Sequence, residues 1–263
     1  MRFSSRTGVR LGAVLALATH AHAASAEADR GRASEAKRAA PSKKPSAGSF
    51  LLFPPGMVVP YASTSIDGAP SGERQIDLGL GVLWGATDDL QIEAHLGPIH
   101  LGPAQGQGPH RLVITRGLLH TRRFELGGSL SMSLDTSRRI PVLSTVQPGL
   151  VAAAGAEERL WFDAGLHLPI STGPEPRLGL SLPIRAHVPL SRRVEVRIES
   201  GLDVNQLGES PAVVPLGIAL RYRAKHFFVV PHVSGPQFYT PGTGRVDAGT
   251  FSAGVIVGIP LKR

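Results

Sequence analysis

Thirteen charged or imidazole side chains fall on the polar rows of segments in which apolar and polar residues alternate: Asp77, Glu93, His95, Glu125, Arg159, Asp163, Arg185, His187, Glu195, Arg197, Glu199, Asp203 and Arg221. Residues two apart emerge on one face of an extended strand. Such a row has two chemistries open to it. Around an aqueous bore, it lines a path for small polar solutes, and a near balance of signs implies weak ion preference. Paired strand against strand, the same acids and arginines form ladders that fill the bore. The run RVEVRIES at 193–200 suits either arrangement.

Catalysis finds little support in the residue pattern. There is no G-x-S-x-G elbow to raise a nucleophilic serine and no H-E-x-x-H pair to hold zinc. His226 and His232 share a strand face but stand about 20 Å apart along it, too far for one metal. Gly127-Gly128 and Gly79-x-Gly81 open no helix, so they cradle no phosphate; they suit strand bending or close packing. The chain reads as a non-enzyme with no metal or cofactor.

The elements that position the charged row are strands. In 75–85 the apolar row is Ile76, Leu78, Leu80, Val82 and Trp84, while 123–135, 177–190 and 193–205 alternate in the same way. Short polar turns marked by Asp88, Arg122, Glu157, Arg192 and Lys225 recur at spacings of 34, 35, 35 and 33 residues. Two membrane strands of roughly 9–11 residues, a loop and a tight turn fill about that length. The turns join ten strands, 56–66 supplies a first and 247–261 a last. The expected fold is therefore all-β: a closed, antiparallel, up-and-down transmembrane barrel of about twelve strands, with ten as the alternative if the first does not pair. Such a barrel puts one row on lipid and the next around a wet lumen. The aromatics Trp84, Phe124, Trp161, Phe162, Tyr222 and Phe227 cluster at the tight turns, where an interfacial girdle on the periplasmic side is expected. In HRLVITRGLLH, strict alternation puts Arg116 on the apolar row. A bulge near Arg116-Gly117 that turns the guanidinium inward is the expected remedy.

Residues 1–26 read as a secretory signal: Arg2, Arg6 and Arg10 precede a short apolar stretch and Ala-x-Ala sites. Residues 27–48 contain no Val, Ile, Leu, Phe, Trp or Tyr and read as a disordered basic linker. The domain is expected over 49–263. Of the formal charge of +8, nine Arg/Lys against three acids place +6 before residue 49 and leave +2 for the domain, so no electrostatic footprint for nucleic acid remains on it. There is no cysteine, so no disulfide supports an exported domain, and closure of the backbone hydrogen bonds must do so instead.

The stretch GVLWGATDDLQIEAHLG at 81–97, a strand, a tight Thr-Asp turn and a returning acidic strand, resembles Gram-negative outer-membrane β-barrel proteins of the porin-like type. The likeness covers about residues 50–263. It departs at the end of the sequence, where GVIVGIPLKR lacks the terminal aromatic usual in such proteins. The resemblance implies residence in the outer membrane, contact with its lipid, insertion by the barrel-assembly machinery, and passive passage of small solutes. Two alternatives stand beside it: a structural or interaction barrel with a salt-bridge-filled, closed lumen, and a soluble exported β-barrel that carries lipid inside. The linker at 27–48 is also expected to be able to reach the lumen acids from the periplasmic side.

Overall fold

The structure, a computed structural model, describes residues 51–69, 71–102, 105–136, 142–156, 159–247 and 249–262. The signal and the linker read from the sequence lie outside them. Twelve long strands follow in order: β1 (Met57–Gly68), β2 (Arg74–Gly85), β3 (Leu90–Leu101), β4 (His110–His120), β5 (Phe124–Asp135), β6 (Val142–Ala156), β7 (Leu160–His167), β8 (Leu180–Pro189), β9 (Val194–Val204), β10 (Val214–Arg223), β11 (Phe228–Thr240) and β12 (Phe251–Gly258). Five two-residue pairings extend their ends, among them Leu261–Lys262 against Met57–Val58. Each long strand pairs antiparallel with its neighbour in sequence. The circle closes where β12 meets β1, from Tyr61 opposite Gly258 to Gly68 opposite Phe251. The expected twelve-stranded barrel is the observed one, and β1 pairs on both sides.

Serine and threonine shape the tight turns. The Thr87 hydroxyl donates to the Asp89 carboxylate at 2.6 Å, and holds that exposed carboxyl below the usual carboxylate range. Thr121 closes its turn by donating to the Phe124 carbonyl at 2.8 Å and accepting from the Phe124 amide at 3.0 Å. Ser191 accepts from the amides of Arg193 and Val194. These local bonds hold the chain reversal that sets the register of each hairpin.

The rows sort by side as alternation requires. Leu80 is 57% exposed, Leu96 56% and Ile218 55%, all on the outside, whereas Gln91 and Asp163 inside are each 2% exposed. A soluble carrier would reverse this, because its apolar row must line the cavity that holds the lipid.

Arg116 departs from expectation. The register shift falls after it, between Gly117 and Leu119, so it does not turn that residue inward. Arg116 stays exposed on the outside, opposite Leu90 just beyond the tight turn, with its Nε 3.6 Å from Asp89 Oδ2. The charge stands at the level of the turn, where water reaches it, rather than at mid-strand. β11 is also longer than the sequence pattern indicated: it runs to Thr240, where Arg245–Val246 pairs with Tyr239 and Thr240.

Arginine placed at Leu80, midway along β2 on the outer row, should destabilise the barrel by about 2–4 kcal/mol in a bilayer. Folding titrations in phospholipid vesicles measure this. An effect below about 1 kcal/mol would speak against a lipid-facing row.

Candidate functional site: the barrel interior

The inner wall carries three groups of polar side chains and one apolar segment. The first group lies on β7 to β10. Asp163 accepts from Arg185 Nε at 2.6 Å and faces His187 Nε2 at 2.6 Å. The other ring nitrogen of His187 stands 2.9 Å from Glu195 Oε1. Glu195 in turn pairs with Arg221, and with Arg223 at 3.5 Å. The indole of Trp161 stacks on His187, ring centroids 3.4 Å apart and 14° from parallel. Each charge in this chain has an opposite partner and hydrogen bonds, the condition under which buried ions are tolerated.

A second group lies on β1 and β3 to β7. The Tyr61 hydroxyl donates to Glu93 at 2.7 Å, and its ring stacks on His95. Arg111 Nε donates to Ser131 at 2.8 Å. Gln147 and His167 are buried beside them on β6 and β7. The third group is more open. Asp77 accepts from Gln75 at 2.8 Å and lies 2.7 Å from His100 Nδ1, Arg197 pairs with Glu199 at 2.5 Å, and Asp203 is half-buried on the same row of β9.

The apolar segment enters from the tight-turn end. Leu51, Leu52 and Phe53 are 6%, 6% and 3% exposed, although they precede the first strand. Phe53 belongs to a buried cluster with Val59, Leu83, Ala219, Phe228, Val230 and Ile256; Leu51 and Leu52 pack with Ala153 and Trp161. Two side chains of the wall hold the backbone. The Leu51 amide donates to Glu125 at 2.8 Å, and the Phe53 amide to Gln91 at 3.0 Å. Gly85 allows the approach, for a Cβ there would lie 2.2 Å from the Pro54 carbonyl oxygen. The segment therefore runs from Glu125, Ala153 and Trp161 on β5 to β7 to Gln91 and Gly85 on β3 and β2.

Of the thirteen residues read from the sequence, Glu93, His95, Glu125, Asp163, Arg185, His187, Glu195 and Arg197 are buried on the inner face. Asp77, Glu199, Asp203 and Arg221 are half-buried on the same rows. Arg159 is not on the wall: it is exposed in the turn before β7, where its amide bonds the Ala156 carbonyl. Trp84, Phe124, Phe162, Tyr222 and Phe227 are exposed on the outside, whereas Trp161, read with them, is 1% exposed and points inward. Its parity with Asp163 on β7 carries that signal; nearness to the turn masks it. Sequence reasoning missed the segment 51–53, and also Tyr61, Gln91 and Gln147. Gln91 has the parity of Glu93 and His95 on β3, whereas no inner residue was recognised on β1 to point to Tyr61. No metal-binding group of three or more His, Cys, Asp or Glu occurs among the described residues.

No protein-family model matches this sequence, and no curated protein matches it. Among solved structures the barrel resembles the NanC porin, with a TM-score of 0.60 at 8% identity over 77% of this chain and all of that one. It also resembles the COG4313 outer-membrane channel from Pseudomonas putida F1, at 0.57 and 10% over 80% of this chain and 97% of that one. The KdgM porin gives 0.54 and 10% over 77% and 98%. These neighbours are porins and channels, and the fold they share with this chain is that of an outer-membrane β-barrel.

Replacing Asp163 with alanine removes a partner from both Arg185 and His187. It should cost about 3–5 kcal/mol, the scale for stranding buried charge. Urea unfolding of the detergent-refolded barrel reads this; Asp89→Ala at an exposed turn should leave the midpoint close to that of the wild type.

Proposed function

We propose that this protein is an outer-membrane channel for small polar solutes, held closed in the present conformation by its own segment Leu51–Phe53. One observation carries the reading. A barrel coated with apolar residues has a hydrogen-bonding inner wall, and the apolar triplet filling part of its bore comes from the chain before β1 and not from the wall. A wall evolved only to be filled would need no separate segment to fill it. Detaching the triplet would unblock part of the bore while leaving every strand pairing intact. The partners follow from the surfaces: lipid around the outer belt, the barrel-assembly machinery during insertion, and small solutes inside. Residues 1–26 would supply export.

A second reading, a barrel that is permanently closed and structural, draws on the chain of bonds from Arg185 through Asp163, His187 and Glu195 to Arg221. Planar-bilayer recording separates the two. Replacing Leu51, Leu52 and Phe53 together with serine should raise single-channel conductance severalfold over the wild type. If neither protein conducts while both show heat-modifiable mobility, the permanently closed barrel replaces the channel.

A further inference from the structure

Among the described residues, five arginines point inward from the long strands, and four of them have a carboxylate: Arg185 has Asp163, Arg197 has Glu199, and Arg221 and Arg223 share Glu195. Arg111 has none within ion-pair distance. It is 9% exposed, its Nε is committed to Ser131, and its Nη2 is buried with no hydrogen-bond partner. The nearest acid along β3, Glu93, gives its Oε1 to the Tyr61 hydroxyl.

Polar atoms of three neighbours are in the same condition. His95 lies directly opposite Arg111 in the β3–β4 pairing, and its Nε2 is buried without a partner. Gln147, opposite Ser131 across β5 and β6, leaves its Oε1 unpartnered. His167 on β7 leaves Nε2 unpartnered, while its Nδ1 stands 3.5 Å from Ser129. Buried polar groups in native proteins are almost always satisfied, so the unpartnered nitrogens of Arg111, His95 and His167, each able to donate, call for a common partner; the Gln147 oxygen only accepts and stands outside that set. Glycines make room for both rings. A Cβ at Gly79 would lie 3.0 Å from His95 Nε2, and Cβ atoms at Gly149 and Gly165 would lie 2.1 Å and 2.4 Å from the two nitrogens of His167. The imidazoles thus lie flat on a wall cleared for them, on either side of a guanidinium that feels the Glu93 carboxylate through space but makes no ion pair with it.

The geometry points to an oxyanion site centred on Arg111, with His95 and His167 flanking it, for a small carboxylate or phosphate. A guanidinium fork meets two oxygens of such a group at once, and ring N–H groups on either side complete the donor set. The inference deepens the channel reading by naming a solute class, and depends on that reading for transport but not for binding.

The test uses full-length protein refolded in detergent, titrated calorimetrically with succinate and, separately, with inorganic phosphate. Saturable binding of either is expected, weakened about tenfold or more in Arg111→Gln, and better kept in Arg111→Lys. Heat-modifiable mobility of each variant establishes that it is folded. Binding of neither anion, or equal binding by Arg111→Gln, overturns the site. The companion measurement is the reversal potential of the serine-substituted channel in a salt gradient, where Arg111→Gln should lower anion preference. Should binding hold while no variant conducts, the site stands and the channel reading fails.

Discussion

Hydrocarbon offers a peptide group nothing to bond with, and that constraint organises the whole molecule. Each unpaired N–H or C=O in a bilayer costs several kcal/mol, so a β-chain that enters one must close on itself. Here closure is the pairing of β12 with β1 along eight residues. Once the ladder is circular, alternation along each strand leaves only the choice of which row looks outward. Aliphatic side chains take that row, and the interior inherits the acids, arginines and histidines. No disulfide or large apolar core is required.

The interior then faces its own difficulty, for charges held away from bulk water must find one another. On β7 to β10 they do, through carboxylates that each serve two or three donors. On β3 to β7 they do not fully: Arg111 Nη2 and the Nε2 atoms of His95 and His167 lack partners, as Arg221 Nε does on β10. Apolar contacts inside the bore concentrate where Leu51–Phe53 enters. The polar groups tie neighbouring strands together along the wall, and the apolar contacts seat the segment before β1.

Much of this was legible in the residue pattern. The alternation in 75–85 and 193–205 fixed strand direction and side, and the spacing of the turns fixed the count. What escaped had weaker signals. LLF at 51–53 follows a tail without apolar residues and precedes the first strand, so no periodicity describes it; only the cluster it enters reveals where it goes. Trp161 was obscured by competition between two rules, nearness to a turn and parity with Asp163, and parity prevailed because the indole found His187 to stack on. Arg116 kept strict alternation because its height beside Asp89 left it hydrated. The wall charges could be placed on a face from sequence, but which arginine lacked a partner depended on cross-strand register, and register is set by turns and bulges rather than composition.

The sidedness of the rows can be read directly, because the chain has only two tryptophans and they lie on opposite faces. Single-tryptophan variants, Trp161→Phe leaving Trp84 and Trp84→Phe leaving Trp161, reconstituted in vesicles with brominated acyl chains, report contact with lipid through fluorescence quenching. Strong quenching of Trp84 with little for Trp161 is the predicted result. Equal quenching of both, or the reverse order, would contradict a barrel with its oily row outward.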